Sequence, residues 1–256
     1  MVKAVFFDLD GTLISSTTGE IPQSARKAID QLRMNQIKIF TATGRHMSEM
    51  QELPVEEIPF DGHITLNGQL CLDSRREVFY SEPISERDVK QMLGLFEERS
   101  LPVMLVEKDR MYINYIDEKV EKAQEAIKTP IPEIGFYSGE PIYQFILYSD
   151  ERMAEKITAG LDDCKMSRWN PYAVDIIAKN GGKVAGIQQI LKDCRIGQNE
   201  IMAFGDGEND MDMLRYAEIG IAMGNAEKKV KDCADFVTEH VDADGVEKAL
   251  KYYKVI

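Results

Sequence analysis

Residues 2–13 read VKAVFFDLDGTL. The apolar residues 4–7 have the length and composition of a short buried strand. Directly after them come Asp8 and Asp10, two carboxylates one residue apart, and then Gly11. Carboxylates held close together repel each other unless a cation lies beside them or one of them keeps a proton. The stretch therefore predicts a buried strand that brings two acidic groups to one place.

Strand-like and helix-like patterns alternate over the first 66 residues and again in the C-terminal part of the chain, from residue 201 onward. Residues 22–34, for example, carry Ala25, Ile29 and Leu32 at helical spacing. Such alternation predicts an α/β fold with a doubly wound, mostly parallel sheet that has helices on both faces. The other strand-like segments of this part are residues 37–43, 63–66, 201–206, 219–223 and 235–238.

The middle of the chain has a different pattern. Residues 83–180 combine hairpin-like strand pairs, such as the pair around Lys108 and Asp109, with helix-like segments. Hairpins together with helices predict an inserted α+β domain whose sheet is mostly antiparallel. We therefore expect a discontinuous core domain formed by residues 1–82 and 181–256, with the insert at 83–180.

The bulk composition excludes several classes of partner. A formal net charge of -13 over 256 residues provides no basic footprint for nucleic acid or for an anionic membrane. The four cysteines form no CxxC pair, which argues against a zinc or redox motif and favours reduced thiols. The sequence has no signal-peptide pattern and no apolar run approaching about 20 residues. We expect a cytoplasmic protein without nucleic-acid or membrane partners.

Polar residues also follow three other predicted strands. Open parallel sheets bind ligands at the carboxyl ends of their strands, so one fold would gather these residues at one edge. Each cluster also has a simpler interpretation, because Asp-Gly and Asn-Gly pairs form turns and Asn209 or Asp210 could cap a helix. An EF-hand calcium loop is excluded, because neither Asp8 nor Asp206 is followed by the glycine and glutamate at the required positions. The clusters are residues 41–45, 67–68 and 205–210.

Three of these aspartates suit a metal ion. Asp8, Asp206 and Asp210 would together offer hard oxygen ligands of the kind that Mg²⁺ prefers. Mg²⁺ in proteins usually keeps waters and takes a phosphate oxygen, so this set indicates a phosphorylated substrate. A carboxylate is also a feasible nucleophile at phosphorus, which would give an aspartyl-phosphate. The other aspartate of the opening pair could protonate the leaving group and later take a proton from water.

The motifs together resemble those of a known enzyme family. DLDGT at residues 8–12 resembles the signature of the haloacid dehalogenase (HAD) superfamily of phosphotransferases. TGR at 43–45, GDGENDMDML at 205–214 and GIAMGNA at 220–226 are similar to its Cof-type hydrolase branch. The resemblance covers the core on both sides of the insert and implies a Rossmann-like core. It also implies that residues 83–180 form the large α+β cap domain that sets substrate specificity.

Carried over position by position, the resemblance implies roles for single residues. Asp8 is the nucleophile, and Asp10 is the general acid and base that lends its backbone carbonyl to magnesium. Asp210 supports the metal site directly or through water. The implied catalytic residues are Asp8, Asp10 and Lys183; the phosphate-binding residues are Leu9 and Gly44 through their N–H groups, Thr43, Lys183 and Asn209; and the magnesium-binding residues are Asp8, Asp10, Asp206 and Asp210.

The lysine of the family's third motif best matches Lys183, in NGGKVAGIQQIL. A positioned cation there would neutralise charge on the transferring phosphoryl group. The family commonly has glycine after this lysine, whereas Val184 follows here. Lys179 is a neighbouring alternative that precedes the Gly181-Gly182 hinge. Taken by itself, Lys183 reads as a solvated lysine at a helix start.

Two further positions have two interpretations each. Arg45 either steers phosphate or holds its motif loop by hydrogen bonds. Asn67 either lines the site from the third strand or only forms a turn with Gly68. For both positions the sequence supports the two interpretations equally.

The identity of residue 10 separates two activities within the superfamily. P-type ATPases resemble the first motif but carry threonine at this position, whereas Asp10 supports rapid turnover by water. We therefore expect a magnesium-dependent phosphatase that hydrolyses small phosphate monoesters, sugar phosphates or related metabolites, through an aspartyl-phosphate. The alternatives are a phosphomutase of the same superfamily and a non-catalytic phosphometabolite-binding protein. The expected partner is a small phosphorylated metabolite, and we expect a monomer or a homodimer.

Overall fold

A computed structural model describes residues 1–127 and 129–256 of the chain. The described residues divide into two compact units. The first unit comprises Met1–Tyr80 and Lys183–Ile256, and the second unit comprises Ser81–Gly182. These divisions lie two residues from the predicted ones, which fall after residues 82 and 180.

The secondary structure follows the predicted alternation, with differences at helix ends. The sequence pattern of residues 151–162 predicts a helix, whereas the observed helix ends at Thr158. A turn follows it, in which the Gly160 N–H donates to the Ile157 carbonyl at 3.0 Å. Within the described residues, the strands are β1 Ala4–Phe7, β2 Lys38–Ala42, β3 Gly62–Thr65, β4 Leu70–Asp73, β5 Val78–Ser81, β6 Val103–Val106, β7 Met111–Ile113, β8 Gln144–Leu147, β9 Cys164–Asn170, β10 Ala173–Ala178, β11 Ile201–Gly205, β12 Ile219–Ala222 and β13 Phe236–Val237. The α-helices of the same residues are α1 Gln23–Met34, α2 Met47–Met50, α3 Glu86–Glu97, α4 Glu118–Ile127, α5 Glu151–Thr158, α6 Lys183–Cys194, α7 Met211–Tyr216, α8 Lys228–Lys231 and α9 Gly245–Tyr252.

Strand β1 lies inside the sheet of the first unit, between β11 and β2. In the described residues this sheet has the order β13-β12-β11-β1-β2-β3-β4-β5. The pairings from β13 through to β3 are all parallel, whereas β3 and β4 are antiparallel. The parallel strands therefore end at one common edge of the sheet. This mostly parallel sheet confirms the predicted fold class.

Side chains leave β1 alternately towards two apolar cores. Val5 and Phe7 belong to a cluster that includes residues of α1 and α9, and Ala4 and Phe6 belong to a cluster that includes residues of α6 and α7. All four side chains are fully buried. Because helices cover both faces, the strand is apolar at every position, and the sheet is doubly wound.

The second unit has a sheet and a core of its own. The order of its described strands is β7-β6-β8-β10-β9, and each neighbouring pair is antiparallel. Apolar residues of this sheet pack with residues of α3 and α5 in one buried cluster. The hairpin pattern of the sequence thus corresponds to an α+β unit with an antiparallel sheet.

The described part of the chain contains no helix long and apolar enough to cross a membrane. The four cysteines are free thiols. Burial raises the pKa of Cys71 and of Cys164 to about 12, which keeps these two thiols protonated and unreactive at neutral pH.

Candidate active site

Asp8 follows β1 directly and stays aligned with the sheet, since its N–H donates to the Phe204 carbonyl at 3.0 Å. The chain then turns, and the Leu9 carbonyl accepts hydrogen bonds from the N–H groups of residues 12–14. This turn leaves Asp8 buried at the carboxyl edge of the sheet, while the side chain of Asp10 is 51% exposed. The two aspartates of the opening stretch therefore have different surroundings.

Asp206 lies at the end of β11, against this turn. Thr12 Oγ1 donates to Asp206 Oδ1 at 2.8 Å, and Asn225 Nδ2 donates to Asp206 Oδ2 at 3.1 Å. The same Asn225 amide also donates to the Gly11 carbonyl at 2.8 Å. Gly11 has a φ of +80°, and a Cβ atom there would lie 2.2 Å from Asp206 Oδ2. Glycine is required at this position because both the backbone conformation and the carboxylate exclude a side chain.

Lys183 connects two of the carboxylates. It is the first residue of α6 and is only 3% exposed. Its Nζ donates to Asp8 Oδ1 at 2.6 Å and to Asp210 Oδ1 at 2.5 Å. The other oxygen of Asp210 accepts the backbone N–H groups of Asp206 at 2.9 Å and Gly207 at 2.8 Å. The interpretation of Lys183 as a solvated lysine is therefore wrong.

The structure also distinguishes Lys183 from Lys179, the neighbouring alternative for the motif lysine. Lys179 is exposed and belongs to the second unit. Val184, at the position where the family commonly has glycine, packs against the apolar cluster that includes residues of α6 and α7. The departure from the family's pattern thus has a packing role beside the buried lysine.

Burial and charge act together on these groups. Burial and the charge of Asp210 raise the pKa of Asp8 well above its ordinary value, although Lys183 opposes the shift. Burial and Asp210 also raise the pKa of Asp206 to about 7. Burial by itself lowers the pKa of Lys183, but Asp210 and Asp8 outweigh it and raise that pKa above its ordinary value. The cluster contains more negative charge than one lysine neutralises.

The carboxylates fit a divalent cation. Asp8, Asp206 and Asp210 are a set, among the described residues, in which each offers an oxygen within 4.8 Å of the others. Hard oxygen donors that repel one another are the donor set that suits Mg²⁺. The two oxygens of Asp210 already accept three hydrogen bonds, from Lys183 and from two backbone N–H groups. Asp8 and Asp206 are therefore the freer donors.

A second group of polar residues follows β2 and β3. The buried Thr43 donates its N–H to the Ile64 carbonyl at 2.9 Å, and its Oγ1 accepts the Arg45 N–H at 3.1 Å. Asn67 donates its own N–H to the Thr43 carbonyl at 2.9 Å. Asn209 Nδ2 in turn donates to Asn67 Oδ1 at 3.1 Å. Asn67 thus joins two residues that the sequence assigns to phosphate binding.

Three consecutive residues at the end of β3 have a left-handed backbone conformation. Leu66, Asn67 and Gly68 have φ values of 49°, 53° and 92°. A left-handed backbone is unfavourable for residues with a Cβ atom, and asparagine tolerates it better than most. The Asn67 amide also lies against Gly44, where a Cβ atom would meet Asn67 Nδ2 at 3.0 Å. Asn67 therefore forms the turn and also contacts the site, so its two interpretations are compatible.

We expect the Asn67→Ala variant to be less stable than the Asn67→Gly variant by about 1 kcal/mol, because only glycine adopts the left-handed backbone without strain. Both variants lose the hydrogen bond to Asn209, so their difference isolates the backbone. Urea unfolding of both variants and the wild type measures it. Equal stabilities of the two variants would show that the backbone at this residue relaxes.

Arg45 makes a side-chain contact that neither interpretation from the sequence includes. Its Nε donates to Asp10 Oδ2 at 2.6 Å, and its Nη2 donates to Asp10 Oδ1 at 2.8 Å. The two residues are 35 positions apart and follow different strands, so sequence spacing gave no signal for the pair.

Two other residues contribute to the site, although the sequence analysis assigned them no role. Thr12 and Asn225 fix the Asp206 carboxylate from either side. Thr12 lies in the motif DLDGT and Asn225 lies in the motif GIAMGNA. Membership of these motifs was the sequence signal that could have identified them as site residues. Their shared partner is 194 residues from Thr12, and only the neighbouring positions of β1 and β11 bring the two together.

The fold and the site define a hydrolase with a Rossmann-like core and an acidic, lysine-bearing centre. A family model described as haloacid dehalogenase-like hydrolase matches residues 5–250. The chain therefore belongs to the haloacid dehalogenase-like hydrolases, and it is an enzyme of the phosphatase type within that superfamily. The resemblance inferred from the motifs is confirmed.

Several similar proteins are named or described as phosphatases. The Bacillus subtilis protein named "Putative phosphatase YkrA" is 32% identical over 252 residues, which are 97% of this chain and 96% of that protein. The solved structure of BT1666 from Bacteroides thetaiotaomicron, a HAD phosphatase, is 34% identical with a TM-score of 0.92, covering 100% of this chain and 96% of its own. The solved structure of the HAD subclass IIB sugar phosphatase BT4131 is 35% identical with a TM-score of 0.90, covering 100% of both chains.

Proposed function

We propose that this protein is a magnesium-dependent phosphatase that hydrolyses small phosphate monoesters, sugar phosphates or related metabolites, through an aspartyl-phosphate on Asp8. The observation that carries the proposal is the contact of buried Lys183 with both Asp8 and Asp210, beside Asp206 at one sheet edge. A nucleophilic carboxylate, hard oxygen donors and a fixed cation are the groups that phosphoryl transfer requires. The description of one similar structure as a sugar phosphatase supports the substrate class.

Asp8 and Asp206 would hold Mg²⁺ together with the backbone carbonyl of Asp10. When bound, the ion neutralises charge on the transferring phosphoryl group. We assign Asp210 an indirect role, because its oxygens accept three hydrogen bonds, one of them from the charged Lys183, whereas those of Asp206 accept two from neutral side chains. Asp210 then fixes both the lysine and the loop that carries Asp206.

Each half of the proposed reaction uses both aspartates of the opening stretch. An oxygen of Asp8 attacks phosphorus, and the bond to the leaving oxygen breaks as Asp10 gives that oxygen a proton. Asp10 then takes a proton from water, whose oxygen attacks phosphorus and frees Asp8 and phosphate. Lys183 remains charged throughout at neutral pH, because its pKa is raised. The phosphoryl oxygens are bound by Thr43, the N–H groups of Leu9 and Gly44, and Asn209.

The second unit is proposed to select the leaving group. Every residue of the first unit assigned above serves the phosphoryl group, the metal or proton transfer. Discrimination among phosphate monoesters therefore falls to other residues, and we assign it to Ser81–Gly182. This is the cap role that the resemblance implies for the insert.

The experiment that tests the proposal is a substrate screen. Purified protein with Mg²⁺ is incubated with phosphorylated sugars, nucleotides and cofactors, released phosphate is measured, and the substrates are ranked by kcat/KM. We expect phosphate release from several sugar phosphates. Phosphorus NMR of the same reactions detects a phosphoryl group that moves to a second hydroxyl without release, which would favour the phosphomutase. Binding of a metabolite without turnover of any monoester would favour the non-catalytic alternative.

Mg²⁺ is expected to raise the thermal unfolding midpoint more at about pH 8 than at about pH 6. Burial raises the pKa of Asp206 to about 7, so the cation must displace a proton from Asp206 at the lower pH and largely none from it at the higher pH. Without Mg²⁺ the stability itself should fall as pH rises. The protonated form of Asp206 favours the folded state, and this contribution is lost as pH rises from the ordinary pKa of aspartate towards the raised pKa of about 7.

Thermal unfolding with and without Mg²⁺ at both pH values measures this effect. The control is Asp206→Asn, which cannot ionise and should lose most of the response to Mg²⁺ at either pH. A wild-type response that is the same at both pH values would contradict the assignment of Asp206 as a ligand.

A further inference from the structure

Arg45 and Asp10 form a two-point ion pair within the first unit. Nε and Nη2 of Arg45 donate to Oδ2 and Oδ1 of Asp10 at 2.6 Å and 2.8 Å. Two parallel hydrogen bonds between a planar guanidinium and a carboxylate fix the orientation of the carboxylate as well as its position. A lysine would supply the positive charge but not the second parallel hydrogen bond that fixes the orientation of the carboxylate.

The Arg45 side chain is itself held firmly, and only 12% of it is exposed. Its backbone N–H donates to Thr43 Oγ1 at 3.1 Å, and its carbonyl accepts the Leu66 N–H at 3.2 Å. Glu49 Oε1 lies 3.8 Å from Nη1, while Glu49 Oε2 accepts the His46 N–H at 2.8 Å. The carboxylate that Arg45 holds therefore takes its orientation from the segment after β2 instead of from its own loop.

Asp10 depends on this support. Its side chain is half-exposed, and the hydrogen bonds that it makes within the described part of the chain are both to Arg45. A half-exposed aspartate otherwise samples several staggered rotamers. Proton transfer requires the carboxylate within hydrogen-bond reach of the reacting oxygen in a suitable direction. The pair occupies one lone pair on each oxygen and leaves others for water or for the leaving oxygen.

We propose that Arg45 is a positioning residue, which orients the Asp10 carboxylate for proton transfer and does not bind the phosphoryl group. This inference rests on the proposed function, in which Asp10 protonates the leaving oxygen and deprotonates water. It replaces both interpretations from the sequence, phosphate steering and loop holding alone. Loss of Arg45 then weakens proton transfer while phosphate binding remains.

The test compares two substrate types in the Arg45→Lys and Arg45→Ala variants. p-Nitrophenyl phosphate has a leaving group that needs little protonation, whereas an alkyl phosphate, such as a sugar phosphate that the wild type hydrolyses, needs a proton. We expect kcat/KM to fall by about 10²-fold for the alkyl phosphate and by less than about threefold for the aryl phosphate. The inhibition constant of inorganic phosphate should not change. The matched control is Arg26→Lys, a partly exposed arginine of the same unit.

A double-mutant cycle separates positioning from structure. In an Asp10→Asn background, Arg45→Lys should cause less than about threefold further loss for the alkyl phosphate, because Arg45 acts through Asp10. A large further loss there, an equal fall for both substrates, or weaker inhibition by phosphate would overturn the inference. Circular dichroism and thermal unfolding check the fold, and Arg45→Lys carries the test if Arg45→Ala does not fold.

Failure of the proposed function has a different signature from failure of the positioning role. If the wild type hydrolyses neither the aryl nor the alkyl phosphate, the proposed function is wrong and the inference falls with it. If the wild type hydrolyses both and Arg45→Lys matches it on both, only the positioning role is wrong.

Discussion

Replacing Asp8 by asparagine is expected to lower kcat for phosphate monoester hydrolysis by about 10⁴-fold or more. The amide cannot form an acyl phosphate, although its oxygen can still accept the hydrogen bond that Lys183 Nζ donates at 2.6 Å. The variant also removes a buried carboxylate whose pKa is raised by burial and by Asp210, so we expect its thermal stability to match or exceed that of the wild type. Phosphate release and thermal unfolding measure the two effects.

Trapping with borohydride gives a second readout, because it reduces an acyl phosphate at Asp8 to a product that mass spectrometry detects. We expect the trapped product in the wild type and in Asp10→Asn, which retains the nucleophile, but not in Asp8→Asn. The matched control is Asp212→Asn, since the Asp212 side chain is 80% exposed on α7 and should leave activity unchanged. Retention of more than about 1% of the wild-type rate by Asp8→Asn would contradict the nucleophile assignment.

Replacing Lys183 by methionine is expected to reduce both activity and stability. Lys183 is fully buried between Asp8 and Asp210, and removing one partner of a buried ion pair destabilises a protein by about 3–5 kcal/mol. Loss of the fixed cation should also lower kcat by about 10³-fold. Urea unfolding and phosphate release measure the two effects. Lys179→Met is the matched control, because Lys179 is exposed in the second unit and should leave both unchanged.

The stability loss in Lys183→Met should grow with pH. Lys183 lowers the pKa of Asp8, so its removal raises that pKa further above the ordinary value. An aspartate with a raised pKa stabilises the folded state while it is protonated, and this stability is lost as pH rises from the unfolded value to the folded one. Urea unfolding at about pH 5 and about pH 8 tests the sign, and a smaller loss at the higher pH would contradict this account.

Much of the fold could be predicted from the sequence, because each core strand is covered on both faces. Strand β1 consequently reads as an unbroken apolar run, and the sheet of the first unit has the predicted parallel strands. The gathering of Asp8, Thr43 and Asp206 was also predictable, since parallel strands end at one edge. Helix ends were less predictable, as at Thr158, because a turn of a few residues decides where a helix stops.

The arrangement of the site could be predicted only in part. The motifs identified Lys183, but nothing in the sequence indicated that it lies buried against two carboxylates. The sequence likewise gave Arg45 two roles and missed its pair with Asp10. Such contacts depend on side-chain directions at the ends of neighbouring strands, which residue spacing along one chain does not encode.

The opening stretch VKAVFFDLDGTL, taken alone, determined that a buried strand ends in two acidic groups, because apolar runs form strands in cores and carboxylates require water, a proton or a cation. The tertiary structure decided how the two aspartates differ. Asp8 is buried against Lys183, whereas Asp10 is half-exposed and held by Arg45. Burial and the nearest charge set the proton affinity and the orientation of a carboxylate, and both come from residues far away in the sequence.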